Sequence, residues 1–127
     1  MTRLIKICFV MLISMAMINA YADTCPDLSN QETNTLPSAV GKNWSVINGS
    51  LGSPRSFRKA LIVTLNSYGE KVVRCYYQND DVKDLTVQLQ TKQLKQRYIQ
   101  PPKKNWGKMN DKTKVCTKSR EKCIFGS

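Results

Sequence analysis

Residues 59–78 constrain the fold of this chain more than any other stretch. They form the densest block of β-branched, aromatic and aliphatic residues outside the N-terminus. The segment Ser67-Tyr68-Gly69-Glu70 divides the block, and its glycine supplies the positive φ that tight hairpin turns often require. In the second half, Val73, Cys75 and Tyr77 fall on one face of a strand. Because both halves are apolar on both faces, we expect a β-hairpin at the centre of a sheet.

The N-terminus has the pattern of a secretory signal peptide. Residues 1–6 carry basic side chains, residues 7–18 are mostly apolar, and the small residues of Ala20-Tyr21-Ala22 follow. The apolar run is shorter than the ~20 residues that a membrane-spanning helix needs. We therefore predict a signal peptide over residues 1–22 that is cleaved after Ala22. We expect an exported protein with no transmembrane segment after cleavage.

Residues 23–127 would then form a single β-rich domain whose last third is basic. Four cysteines remain in it: Cys25, Cys75, Cys116 and Cys123. An even count in a small exported domain indicates two disulfides, for which three pairings exist. Cys116 and Cys123 are close in sequence and can face each other across a turn near residues 118–121. We favour that pair, which leaves Cys25 to join Cys75.

The remaining elements are also predicted to be short strands. Residues 41–47 indicate a first strand with Trp44 and Val46 on one face, and Asn48-Gly49 indicates a turn. Residues 85–90 alternate with a period of two, residues 94–99 continue as a strand, and residues 113–117 and 122–125 form a final hairpin. The predicted fold is all-β: a small disulfide-stapled antiparallel β-sandwich or open barrel of five to seven short strands.

Positive charge is concentrated in the last 36 residues. Residues 23–91 carry seven Lys/Arg and seven Asp/Glu, whereas residues 92–127 carry eleven Lys/Arg against Asp111 and Glu121, a net charge of +9. Such a segment attracts anionic partners and says little about the fold.

The residue types argue against catalysis. The chain contains no histidine, which removes the commonest general base, the serine and cysteine triads and most zinc sites. Cysteines held in disulfides supply neither a nucleophile nor a metal ligand. We therefore expect no enzyme activity, no cofactor and no metal.

The candidate partner-binding residues are cations interleaved with an aromatic side chain: Arg97, Lys103, Lys104, Trp106 and Lys108. Nucleic-acid binders use such mixtures for phosphate contacts and base stacking. The expected export argues against nucleic acid, and we expect no nucleic-acid partner. Anionic lipid headgroups, cell-wall polymers or an acidic protein surface are the partners that fit. A solvated basic face without a partner is the alternative interpretation.

Four short motifs resemble a group of small exported bacterial proteins. They are Thr24-Cys25-Pro26-Asp27-Leu28, Gly41-x-x-Trp44, Phe57-x-x-Ala60 and Cys75-Tyr76-Tyr77. Within this group the chain is most similar, over residues 24–89, to EirA-like periplasmic proteins associated with the Dot/Icm type IVB secretion system. The motifs are structural, and the basic tail adds nothing specific to the resemblance.

The resemblance implies a non-enzymatic periplasmic protein that supports type IV secretion and intracellular replication, and therefore virulence. Its partners would be proteins, including components of the secretion system. The alternative function is binding of anionic envelope components or small ligands through the basic C-terminal segment. We also expect a homodimer or a larger assembly, with self-association near Trp44 or the central hairpin.

Overall fold

The computed structural model describes residues 23–79, 86–92 and 104–126. The predicted signal peptide and the predicted strand over residues 94–99 lie outside these ranges. The elements within them are one helix, α1 (Ser38–Gly41), a 3₁₀ turn (Arg120–Lys122), and strands β1 (Trp44–Asn48), β2 (Ser56–Thr64), β3 (Lys71–Gln78), β4 (Thr86–Thr91), β5 (Gly107–Asn110) and β6 (Thr113–Cys116). In the described part of the chain, no helix reaches the length and apolarity that crossing a membrane requires.

The strands form one antiparallel sheet in the order β1-β4-β3-β2-β6-β5. The predicted all-β class is confirmed, and the number of strands falls within the predicted range. The sheet is open, because its two edge strands in the described part of the chain, β1 and β5, do not pair with each other. The central position of the hairpin is also confirmed, because β3 and β2 are the two middle strands.

The β2–β3 hairpin is closed by the turn that the sequence predicts. The Asn66 side chain organises this turn, because its Oδ1 accepts hydrogen bonds from the backbone N–H groups of Tyr68 (3.0 Å) and Glu70 (3.4 Å). Gly69 has a φ of 78°, in the left-handed region that glycine enters without steric cost. The register then places Val63 opposite Val72 and Ala60 opposite Cys75, with a bulge between Phe57 and Lys59.

One face of the sheet bears the core. Val73, Cys75 and Tyr77 all point to it, as the alternation in the sequence predicts, and Val87 and Leu89 of β4 lie beside them. This face is covered by residues that precede and follow the strands, notably Cys25, Leu28, Leu51, Cys123 and Phe125. The N-terminal lead-in, the loop before β2 and the C-terminal turn therefore cover the core face, as a second sheet does in a β-sandwich.

The opposite face carries a more polar set of side chains. Lys59 Nζ lies 4.9 Å from the centre of the Tyr76 ring, and Arg74 Nε donates a hydrogen bond of 2.8 Å to Gln90 Oε1. These residues belong to β2, β3 and β4 and are only partly buried. The alternation of β4 is thereby confirmed, since Gln88 and Gln90 are partly exposed while Val87 and Leu89 are buried.

Two disulfides hold the cover to the sheet, and they have the pairing favoured from the sequence. Cys25 is bonded to Cys75 in β3, and Cys116 at the end of β6 is bonded to Cys123 beyond the 3₁₀ turn. All four cysteines are fully buried. The first bond fixes the N-terminal segment on the core face, and the second fixes the C-terminal turn.

The predicted final hairpin is wrong. Residues 122–125 do not pair with β6; instead Phe125 forms a bridge with Asp23, through hydrogen bonds of 2.7 Å and 2.9 Å. Strand β6 lies between β2 and β5, so its hairpin partner is β5, which precedes it in the chain. The physical reason is that Cys116 and Cys123 are bridged across a 3₁₀ turn, which directs the chain over the core face instead of back along the sheet.

Candidate partner-binding surface

The β5–β6 hairpin forms one edge of the sheet and carries three exposed lysines, Lys108, Lys112 and Lys114. We call residues 107–116 the basic hairpin. All four residues of β5 are exposed, and within the described residues no strand pairs with its outer side. A strand edge presents unpaired N–H and C=O groups, and the lysines add positive charge beside them.

The backbone of the basic hairpin is firmly anchored although its side chains are exposed. In the turn, the Lys112 N–H donates to Asn110 Oδ1 (2.9 Å), and the Lys112 carbonyl accepts a hydrogen bond from Thr64 N (2.8 Å) at the end of β2. The turn is therefore tied to the central hairpin, and the lysine side chains project from a fixed frame.

Like charges face each other within the basic hairpin. Lys108 lies directly opposite Lys114 in the register, an arrangement that disfavours strand pairing. Asp111 offsets part of this repulsion, because its Oδ1 lies 3.1 Å from Lys108 Nζ. Those two side chains are 62% and 95% exposed, so their ion pair contributes well under about 1 kcal/mol. The hairpin thus keeps a net positive charge that does not help it to fold.

Trp106, a candidate partner-binding residue, lies just before the basic hairpin. It is half-buried against the core, and its Nε1 donates a hydrogen bond of 2.7 Å to the carbonyl of Ile124. The preceding residue, Asn105, has a φ of 73° and donates from Nδ2 to the Lys122 carbonyl (3.2 Å). The two side chains join the start of β5 to the C-terminal turn. These contacts give Trp106 a role in the fold, and its role in partner binding stays a prediction.

Of the other four candidate partner-binding residues, the structure describes two. Lys104 and Lys108 are exposed, whereas Arg97 and Lys103 lie outside the described ranges. The fold places Lys112 and Lys114 beside Lys108, and neither was among the candidate residues predicted from the sequence. The signal that was available is the alternation of Thr113, Lys114 and Val115, which marks Lys114 as a strand residue.

Two titratable groups near the N-terminal lead-in, Tyr77 and Asp27, have shifted pKa values. Burial raises the pKa of the Tyr77 phenol, and its hydroxyl donates a hydrogen bond of 2.6 Å to the Pro26 carbonyl. Hydrogen bonds from Ser29 lower the pKa of Asp27, and the nearby Arg120 lowers it further. Among the described residues, no three His, Cys, Asp or Glu side chains are grouped so that they could hold a metal ion.

Comparison with known proteins gives a family but no function. A search of curated proteins and a search of solved structures each found no match. The resemblance to secretion-associated periplasmic proteins therefore stays a prediction. The model of one family, described as a protein of unknown function (DUF3757), matches residues 18–126. This match covers nearly the whole chain, and the protein belongs to the DUF3757 family.

Proposed function

We propose that this protein is a non-enzymatic, exported interaction protein that binds an acidic protein partner through the basic hairpin. The observation that carries the proposal is the placement of Lys108, Lys112 and Lys114 on an exposed sheet edge, where Asp111 is the single acidic side chain of the hairpin. Two disulfides support export, because such bonds persist in oxidising compartments.

The edge and the charge have complementary roles in this proposal. A partner strand can add to β5 through main-chain hydrogen bonds, which give affinity with little demand on sequence. The lysines then select a partner that is acidic near the added strand, and they raise the rate of association. A second copy of the basic hairpin is disfavoured as the partner, because its lysines would repel the lysines of the first copy.

Site-specific crosslinking in the producing cell tests the surface. Met109 is 51% exposed on β5 and accepts a photoreactive replacement, and the exposed Tyr68 in the β2–β3 turn serves as the control position. We expect a discrete protein adduct from position 109 and none of the same size from position 68. The adduct should disappear in the double variant Lys112→Glu/Lys114→Glu.

A matched double variant separates local charge from net charge. Lys42 and Lys92 are exposed and lie outside the basic hairpin, so Lys42→Glu/Lys92→Glu changes the net charge by the same amount. This variant should keep the adduct. Equal loss of the adduct in both double variants would contradict a binding site on the hairpin.

Support of type IV secretion and intracellular replication is the finer part of the proposal. The resemblance to EirA-like periplasmic proteins supports it, and so does the expected export. Deleting the gene should reduce effector translocation, and the wild-type gene should restore it while the Lys112→Glu/Lys114→Glu variant should not. Normal translocation together with loss of another envelope property would place the protein elsewhere in the envelope.

The charge distribution also favours a second candidate, a binder of anionic envelope components, because residues 92–127 carry a net charge of +9. Sedimentation with phosphatidylglycerol vesicles distinguishes the two functions. Binding that is strong at low salt, lost at high salt and lost in Lys112→Glu/Lys114→Glu supports the envelope function. A protein adduct without vesicle binding supports the protein partner.

A further inference from the structure

A cavity of about 310 Å³ lies on the core side of the sheet, apart from the basic hairpin. Its walls come from the N-terminal lead-in, the first residues of β2, the end of β3 and the 3₁₀ turn. The volume lies at the lower end of the range for small-molecule sites, which are largely apolar with a few placed polar groups. The charged and aromatic residues that line it are Asp27, Arg55, Phe57, Tyr77, Arg120 and Glu121.

The apolar wall of the cavity is aromatic. Phe57 and Tyr77 meet edge to face, with ring centres 5.9 Å apart and an interplanar angle of 76°. The Tyr77 hydroxyl is already bonded to the Pro26 carbonyl, so the ring presents carbon atoms to the cavity. Leu28, almost fully buried, extends this surface. A ligand with an apolar portion would find contact here.

A buried cation, Arg55, borders the same cavity. Arg55 is only 5% exposed, and its Nη atoms bond to the Ser53 hydroxyl and to backbone carbonyls, including that of Ser50 at 3.1 Å. Its Nε has no partner, and within the described ranges no carboxylate forms an ion pair with it. Buried charges in proteins are normally paired, so Arg55 adds positive potential beside a cavity that the carboxylates of Asp27 and Glu121 also line.

Arg120 adds a second cation that a ligand can reach. Its Nη1 is fixed by Thr24 Oγ1 (3.1 Å) and the Cys25 carbonyl (2.9 Å), which orients the guanidinium. Among the described residues, its Nη2 bonds to Glu121 Oε1 alone, at 3.4 Å, and that glutamate side chain is 71% exposed. Asp27 also lines the cavity, but no ion pair joins it to Arg120 among the described residues, and its Oδ1 accepts a hydrogen bond from the Ser29 N–H (2.9 Å). Arg120 Nη2 therefore holds a long, solvent-exposed contact that another carboxylate can replace.

We infer that the cavity binds a small organic carboxylate. The carboxylate lies on Arg120 Nη2 in place of Glu121, and the apolar part of the ligand lies against Phe57 and Tyr77. Arg55 strengthens binding through its potential, without a direct bond. Guanidinium groups suit this role because their donors match the geometry of a carboxylate.

Isothermal titration with three probes tests the chemical class. Benzoate combines a carboxylate with an aromatic ring, benzamide keeps the shape without the charge, and acetate keeps the charge without the ring. We expect benzoate to bind, acetate to bind several-fold more weakly and benzamide to give no measurable binding. Equal affinity for benzoate and benzamide, or no heat with benzoate, would overturn the inference.

Two pairs of variants test the residues. Glu121→Gln removes the competing carboxylate, so benzoate should bind about three-fold more tightly. Asp111→Asn makes the same charge change outside the cavity and should leave the affinity unchanged. Arg120→Gln should abolish binding, whereas Lys122→Gln, in the same 3₁₀ turn but not lining the cavity, should retain it.

Arg120 also holds the N-terminal lead-in, and its replacement by Gln can therefore prevent folding. In that case, the comparison of Glu121→Gln with Asp111→Asn still tests the site. The fold of each variant is checked by its amide NMR spectrum before titration. A Glu121→Gln variant that binds benzoate no more tightly than Asp111→Asn would show that Glu121 does not occupy the site of the ligand.

Discussion

At the residue scale, Lys114 is expected to lower the stability of the fold. It lies opposite Lys108 in the edge hairpin, so Lys114→Glu replaces a repulsion with a cross-strand attraction. We expect the free energy of unfolding to rise by about 0.2–1 kcal/mol in urea titrations at low salt, and by less at high salt. The variant Lys118→Glu changes the net charge equally outside the pair and should give no comparable gain. A loss of stability in Lys114→Glu alone would mean that this lysine has a structural partner.

Gly49 and Gly69 give a second test at this scale, because both have φ values near 78° but different surroundings. A Cβ on Gly69 would meet no atom within 4 Å, so Gly69→Ala should cost only the backbone strain, about 1–2 kcal/mol. A Cβ on Gly49 would collide with the Thr86 carbonyl at the start of β4.

The Gly49→Ala variant should therefore lose roughly 3 kcal/mol or more, since steric overlap adds to the backbone strain. Thermal or urea unfolding of the two alanine variants measures the difference. Equal losses would show that the loop after β1 can move away from β4.

At the element scale, the two disulfides should contribute unequally to stability. Cys25 and Cys75 are 50 residues apart and Cys116 and Cys123 are 7 apart. In the loop-entropy description, closing these loops stabilises the fold by about 4 and about 2 kcal/mol respectively. Replacing Cys25 and Cys75 together by alanine should thus lower the unfolding free energy by more than replacing Cys116 and Cys123.

Each disulfide variant changes two cysteines, which avoids a free thiol and disulfide exchange. The unfolding free energy of both variants is compared with that of the oxidised wild type. A larger loss from the Cys116/Cys123 variant would show that the C-terminal turn holds the cover of the core more strongly than the N-terminal segment does.

The central hairpin was predictable because its signals are local. Alternation of apolar residues assigns faces to β3, and a glycine at the turn closes it, so a short window contains the information. The C-terminal region was not predictable in this way. Its short segments have weak alternation, and whether residues 122–125 pair with β6 depends on Asp23, which is remote in sequence. The local sequence pattern does not show whether residues 122–125 pair with β6 or with Asp23.

At the scale of the whole molecule, burial of Tyr77 links stability to alkaline pH. Burial raises the pKa of its phenol in the folded state above the value of about 10 in the unfolded chain. The stabilisation is therefore complete below pH 10 and is lost as the pH rises above that value. Relative to Tyr77→Phe, the unfolding free energy of the wild type should fall by up to about 1.4 kcal/mol per pH unit.

Urea unfolding between pH 9 and pH 11 measures this difference. The phenylalanine variant should be less stable than the wild type at pH 9, because it lacks the hydrogen bond to Pro26. Parallel curves for the two proteins above pH 10 would contradict a buried, neutral phenol.

The sheet as a whole shows what the sequence could not supply. Strand β1 pairs with β4, and β6 pairs with β2, although neither is a neighbour in the chain. Alternation specifies which face a residue takes but not which strand lies beside it. The basic segment was visible as composition, yet the grouping of Lys112 and Lys114 with Lys108 needed the hairpin. The expected homodimer, with self-association near Trp44 or the central hairpin, stays a prediction; the Trp44 side chain itself is buried against Phe125.

The bridge between Asp23 and Phe125 has a consequence for the order of folding. Contacts between the two ends of the domain cannot form until nearly all of the chain has been released, and such contacts of high sequence separation slow folding. If the N-terminal residues are released first, they can form the β2–β3 hairpin and the Cys25–Cys75 disulfide before the C-terminal residues are available. The core face stays uncovered until the C-terminal turn docks, so this interval is the one in which a chaperone would be needed.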